Sequence, residues 1–178
     1  MNKKLLILGA GMFGMVVKEI AVEMGTFEQI SFLDDSFGNV ELMCDSHNNL
    51  IGKLEDCLKY PSFYKYAIVS IGNPQERKEW TRKLSEVGYC IPNIVSSLAY
   101  VSPSARIGTG VVIAPMAVIN SNSSVGDGSF ITAEAIIDHN SIVHDYCNIQ
   151  CGCVVMPGAV VTEFTKTQPN EVIRKTDK

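Results

Sequence analysis

From Ala99 to Phe164 the chain reads as eleven consecutive sixes: AYVSPS, ARIGTG, VVIAPM, AVINSN, SSVGDG, SFITAE, AIIDHN, SIVHDY, CNIQCG, CVVMPG and AVVTEF. The third place of each is aliphatic: Val101, Ile107, Ile113, Ile119, Val125, Ile131, Ile137, Val143, Ile149, Val155 and Val161. If such residues fill roughly a quarter of positions, chance produces this run on the order of once in a million or less. The first place holds only Ala, Val, Ser or Cys, so it is uniformly small. Neither the helical period of 3.6 nor a plain two-fold alternation gives one large and one small inward residue every six. A triangular solenoid does. Each six makes one flat side and three sides make a coil. The large aliphatics of successive coils then stack in columns at the strand spacing of about 4.8 Å. The eleven sixes make somewhat under four coils.

This register also sorts the cysteines. Cys147 and Cys153 fall in the small inward column and are expected to be buried thiols that fill the core, whereas Cys151 points outward. Six cysteines without a CxxC, and only three histidines, give a structural zinc site too few ligands. Unpaired thiols suit a reducing cytoplasm, which is the expected location. A net charge of −4 without any basic stripe argues against nucleic acid as a partner. No apolar run reaches the roughly 20 residues of a membrane span. The start, MNKKLLILGAGMFGMVV, has the outline of a signal peptide. Its three spaced glycines, Lys18 and Glu19, and the lack of a small-residue cleavage site speak against that reading.

Ahead of the sixes the pattern is different. Lys4–Leu8 is an apolar run that ends in glycine, 12–24 has helical spacing, and Ile30–Leu33 is a second strand that ends in Asp34 and Asp35. Residues 66–71 are a further buried-strand candidate. Asn73-Pro74-Gln75-Glu76 then reads as a helix start, with Asn as N-cap, Pro at N1 and Glu at N3. Residues 36–52 are polar and read as a loop. The expected organisation is a Rossmann-like α/β nucleotide-binding unit over 1–96, a short left-handed parallel β-helix over 97–163, and a tail over 164–178.

Gly9, Gly11 and Gly14 follow a strand and open a helix, as in a turn that cradles a phosphate. Asp34 lies 20 residues beyond Gly14, where a dinucleotide enzyme keeps its ribose-binding acid. An NAD-dependent oxidoreductase is therefore a rival reading. Against it, only about 95 residues precede the sixes, enough for half of a dinucleotide fold.

The sixes, together with ILGAGMFG, FLDDSFGN, SIGNPQERK and the IIDH that contains His139, resemble the bacterial hexapeptide-repeat sugar acyltransferases. These include the sialic-acid O-acetyltransferases and the UDP-4-amino-sugar N-acetyltransferases, the NeuD/PglD type. The resemblance covers about residues 3–163. It implies a homotrimer, acetyl-CoA as acyl donor in a groove between adjacent β-helices, and a nucleotide-linked sugar, expected to be a UDP-sugar, held by the α/β unit. His139 matches the family's general base, and Asp138 and Asn140 are its candidate orienters. Gly9, Gly11, Met12 and Phe13 would lie along the nucleotide, Asp34 and Asp35 near its base or ribose, and Gly72 and Asn73 near the sugar. Asn73 reads equally well as a plain helix cap. Arg77 reads either as a phosphate ligand or as a solvated surface residue. Asn148 and Gly152 are candidates for the acyl-CoA side, and no metal is implied.

The chain departs from that pattern at three positions. Asn140 stands where relatives carry an acid, and Asn148 where they carry a second histidine. Pro157, which has no N–H to offer, replaces a glycine one coil beyond His139. In relatives the repeats also run on, whereas here QPNEVIRK follows soon after Val161. Two readings follow: an acetyltransferase, or a non-catalytic trimeric scaffold that binds a nucleotide sugar. His139, in the fifth place, lies outside the columns of Ala135 and Ile137, so it is expected at a coil corner. Val112, Met116, Val118 and Phe130 are expected on outer faces that trimer formation would cover.

Overall fold

The computed structural model describes residues 3–38 and 49–175. The chain divides into two compact units, Met1–Pro92 and Asn93–Lys178. No helix among the described residues is long and apolar enough to cross a membrane.

The first unit is built on four parallel strands: β1 (Lys4–Leu8), β2 (Gln29–Leu33), β3 (Leu50–Gly52) and β4 (Tyr66–Val69). Helix α1 (Met12–Glu23) joins β1 to β2, and α2 (Pro74–Val87) follows β4. The spatial order is β3-β2-β1-β4. Leu5, Leu6, Ile7 and Leu8 are all fully buried, because a parallel strand flanked on both sides has no wet face. The helix start at Asn73 is as the sequence indicates. Its Oδ1 accepts from the Glu76 N–H at 3.1 Å, Pro74 opens the helix, and Gly88 ends it in the left-handed conformation. The loop expected over 36–52 is shorter than that, since 50–52 is the edge strand β3; the part of it over 39–48 lies outside the described residues. A 3₁₀ helix at Leu54–Lys59, not signalled by periodicity, follows β3.

The second unit is a parallel β-helix with one sheet per side. Side 1 stacks strands at Ile94–Val95, Val112–Ile113, Phe130–Ile131 and Asn148–Ile149. Side 2 stacks Tyr100–Val101, Val118–Ile119, Ile136–Ile137, Val154–Val155 and Val172–Ile173. Side 3 stacks Arg106–Ile107, Ser124–Val125, Ile142–Val143 and Val160–Val161. Register repeats every 18 residues: Ile137 pairs with Ile119 on one side and Val155 on the other. The inward columns are as read from the sequence. From Ile113 to Val161 the third-place aliphatics are at most 3% exposed, and Cys147 and Cys153 are buried in the small column.

The β-helix is longer than the eleven sixes. Ile94–Val95 pairs with Val112–Ile113, so the coil already runs before Ala99. At the other end Asn148 bridges to Lys166, and Val154–Val155 pairs with Val172–Ile173. QPNEVIRK therefore helps to build further sides. The third place there holds Thr167, 3% exposed, whose hydroxyl reaches the Asn148 carbonyl and Cys153 Sγ. A buried hydroxyl with partners takes the place of an aliphatic, which is why the apolar count broke off.

The corners share one device. The sixth residue of each six from Gly110 to Asn170 is left-handed: Gly110, Met116, Asn122, Gly128, Glu134, Asn140, Tyr146, Gly152, Gly158, Phe164 and Asn170. Glycine and asparagine tolerate that conformation, so their recurrence in the sixth place is the sequence trace of the turn. Of the residues expected on outer faces, Val112 and Phe130 are already buried within the single chain (0% and 3%), while Met116 is exposed. The apolar surface left open includes Tyr100 and Val172 on side 2, and Ile142 and Val160 on side 3.

Candidate active site

In the α/β unit, β1 and β4 are neighbours whose connections run in opposite directions across the sheet. This is the topological switch point, where open parallel sheets take ligands beyond their strand ends. Gly11 follows β1 and Gly72 follows β4. The three clustered glycines have different reasons to be there. Gly9 has φ +104°, and a Cβ on it would meet Ser70 Oγ at 2.9 Å. A Cβ on Gly14 would press into the Gly9 carbonyl oxygen, so that glycine lets α1 pack against the strand end. Gly11 has an ordinary φ of −70°, and a Cβ there would meet nothing within 4 Å. Gly72 is likewise exposed and open. Neither fold nor packing requires glycine at these two positions, which leaves bare backbone at the switch point.

The other front residues fall into place around them. Met12 is 93% exposed at the start of α1 and Phe13 is half-buried. Helix α1 has no side-chain cap and no acid in its first turn, so its first N–H groups face outward with a favourable dipole for an anion. Asp34 is fully engaged by backbone: Oδ2 accepts from the Ala10 N–H at 2.7 Å and Oδ1 from the Ser36 N–H at 2.8 Å. Burial works upward on its pKa, but the hydrogen bonds from Ser36 and Ala10 outweigh it and hold the carboxyl below its ordinary value. Asp34 thus ties the β2 end to the glycine turn, and both oxygens that a ribose diol would need are spoken for. Asp35 Oδ1 accepts from the Leu54 N–H at 3.2 Å. Asn73 is the α2 cap, with its side-chain oxygen used there. Arg77 is neither solvated nor at the surface. It is fully buried and donates to the Ile71 carbonyl at 2.7 Å, which shapes the turn that carries Gly72.

In the β-helix, His139 is exposed at the corner between sides 2 and 3. Successive coils hold the corner from both directions. The Asn140 N–H donates to the Ser121 carbonyl (3.0 Å), and the Gly158 N–H donates to the His139 carbonyl (3.1 Å). Asp138 does not orient the ring. Its Oδ1 accepts from the His139 backbone N–H at 2.7 Å and from Asn120 Nδ2 at 2.9 Å, and these bonds, in that order, hold its pKa below the ordinary value. The group that touches the imidazole is Asn140, whose Nδ2 lies 2.9 Å from His139 Nδ1. Left-handed backbone at Asn140 (φ +57°) turns its side chain back onto its predecessor.

Asn148 and Gly152 are not beside His139 in one chain. Asn148 is on side 1, opposite the His139 corner, and is 4% exposed. Gly152 is a left-handed corner residue (φ +69°), and a Cβ on it would collide with the Asn170 side chain. Its identity is therefore explained by the turn. Among the described residues no group of three or more His, Cys, Asp or Glu could hold a metal ion.

Residues 4–84 match the family of the PglD N-terminal domain. The acetyltransferase domain of PglB from Neisseria gonorrhoeae, in complex with acetyl coenzyme A, is 28% identical over 98% of this chain and 83% of that one, with a TM-score of 0.89. The chain is of the NeuD/PglD type. Two further structures have the same fold at lower identity. A mutant of perosamine N-acetyltransferase from Caulobacter crescentus, with CoA and GDP-perosamine, is 23% identical over 92% of this chain and 76% of that one, with a TM-score of 0.84. WeeI from Acinetobacter baumannii is 18% identical over 94% and 87%, with a TM-score of 0.70.

Among proteins of this type the corner of this chain is distinctive for what surrounds its histidine. Pro157 occupies the fifth place one coil beyond His139, and the N–H next to it, on Gly158, is spent on tying the coils together. Sequence reasoning overlooked Asn120, which fixes Asp138. Its spacing of one full coil from Asp138 was the available signal.

Proposed function

We propose that the protein is an acyl-CoA-dependent acetyltransferase that acts on an amino or hydroxyl group of a nucleotide-linked sugar, with His139 as general base. The observation that carries this reading is the corner itself: an exposed imidazole, held at Nδ1 by Asn140, on a β-helix similar to one that binds acetyl coenzyme A. An amide can present either its oxygen or its nitrogen to the ring. With Oδ1 on a protonated Nδ1, the lone pair is on Nε2 and points outward. His139 then takes the proton from the attacking amine or hydroxyl as the new bond to the acyl carbon forms. It returns that proton to the thiol sulfur as the carbon–sulfur bond breaks. With Nδ2 on Nδ1 the outer nitrogen carries a proton and cannot act as base, so a half-turn of the Asn140 amide separates a resting from a working corner.

The α/β unit would hold the nucleotide, with its phosphates over Gly11 and the α1 N-terminus and its sugar toward Gly72. A uridine diphosphate is the expected nucleotide. Four strands make one mononucleotide-binding half, and both oxygens of Asp34 are occupied; both facts weigh against NAD. Asn148 and His139 stand on opposite parts of the coil, so a site using both takes them from two chains of the proposed cytoplasmic homotrimer. Incubation with acetyl-CoA and a panel of UDP- and GDP-linked amino sugars, with free thiol as the readout, tests the proposal. Thiol release with none of them would leave a nucleotide-sugar-binding scaffold.

A further inference from the structure

Residues 18 apart lie on top of one another in successive coils, so the His139 corner can be read along the coil axis. Contacts fix that register: Asn120 Nδ2 to Asp138 Oδ1 at 2.9 Å, the Gly158 N–H to the His139 carbonyl at 3.1 Å, and the Met156 N–H to the Ile173 carbonyl at 2.9 Å. Its chemistry changes in one direction. Before His139 come Asn120, Ser121 and Asn122, the last two exposed. Beyond it come Met156, 37% exposed, with Pro157 and Gly158. One coil further are Arg174 and Lys175, both exposed, and the Lys175 stem runs back to Gly158: a Cβ there would lie 3.7 Å from Lys175 Cδ.

We propose that this ladder orients the two substrates about His139. The acyl group lies on the Met156–Pro157 side, with Met156 limiting its length, and the acceptor enters from the Ser121–Asn122 side. The inference rests on the acyl-transfer reading and deepens it. An acyl chain and the arm that carries it lose nothing by leaving water for a thioether and a pyrrolidine ring. A sugar carries hydroxyls that need partners, and Ser121 and Asn122 supply both donors and acceptors. The donor's phosphates are anionic, and Arg174 and Lys175 are the cations found in that direction, as charge complementarity requires. On the opposite side of His139, Ser102 and Ser104 continue the polar run without a cation.

Calorimetry on the full chain with acetyl-CoA and butyryl-CoA tests this without an acceptor. The unsubstituted protein should bind acetyl-CoA at least about tenfold more tightly, since a single added methylene already discriminates to that degree in a shaped pocket. Met156→Ala should bring the two affinities together. Ser121→Ala and Asn122→Ala should leave their ratio as it was. Arg174→Ala should weaken both thioesters alike and flatten their salt dependence. A ratio unmoved by Met156→Ala but changed by Asn122→Ala would reverse the ladder and overturn the proposal. Failure of the unsubstituted protein to bind either thioester would instead remove the acyl-transfer reading on which it stands.

Discussion

The two units reveal their candidate sites in opposite ways. In the α/β unit the telling residues are those the fold does not need. Gly9 and Gly14 are compelled by backbone and packing, whereas Gly11 and Gly72, at the ends of adjacent strands, are not. In the β-helix nearly every residue is accounted for by its place in the six, and the site is where the repeat carries something the coil has no use for. An imidazole at an exposed corner is such a residue, whereas Gly152, in a left-handed corner place, is not. A glycine is thus informative in one unit when it has no structural role, and a polar residue is informative in the other for the same reason.

The comparison can be broken most severely within the glycine motif. Gly14→Val should prevent folding of the α/β unit, because even a Cβ would overlap the Gly9 carbonyl. Gly11→Val should leave the melting temperature within a few degrees of the parent and yet abolish measurable uridine diphosphate binding, by filling the backbone approach. Equal effects of the two substitutions on stability would end the distinction. The β-helix has its own structural control. Ile137→Ala in the fully buried column should cost about 2–5 kcal/mol in denaturant unfolding.

Smaller effects sharpen the reading of the corner. Asn140→Asp places a carboxylate beside the ring, which favours the imidazolium. The acid limb of kcat/KM should then move to higher pH, with activity lost first at the acid end; a shift downward would show that residue 140 does not contact the working ring. Smallest is the effect of Asp138. Its folded pKa is depressed by the His139 N–H and Asn120, so its contribution to stability is present above the ordinary carboxylate range and disappears as pH falls through the lower folded value. Asp138→Asn should remove that acid-side dependence and change turnover little, as an acid that holds backbone rather than the imidazole. A large loss of kcat with unchanged stability would contradict the placement.

Much of this architecture could be read from the residues. The period of six, the inward columns and the capped start of α2 are each set by local pattern, and the structure has them where the sequence puts them. The ends of the β-helix were harder to see. Thr167 occupies an inward place with its hydroxyl satisfied, and at the other end only NIVSSL precedes Ala99, so the aliphatic count is a poor guide to where coiling begins and stops. In the site, His139 was identifiable by its place in the six. What Asp138, Arg77 and Asn148 do was not, because each depends on a partner. Asp138 is committed to Asn120 one coil away, Arg77 to the Ile71 carbonyl across a turn, and Asn148 to the side facing away from His139. Chain spacing alone says nothing about which of two polar groups a side chain will choose.

The central claim is that His139 moves the proton in acyl transfer. It is tested most directly by thiol release from acetyl-CoA with an accepted nucleotide sugar, the parent and His139→Ala compared at equal concentration. A positioned base contributes about 10²–10⁴-fold, so His139→Ala should lower kcat by that factor with the nucleotide-sugar affinity nearly unchanged. Full acetyl transfer by His139→Ala would contradict the account.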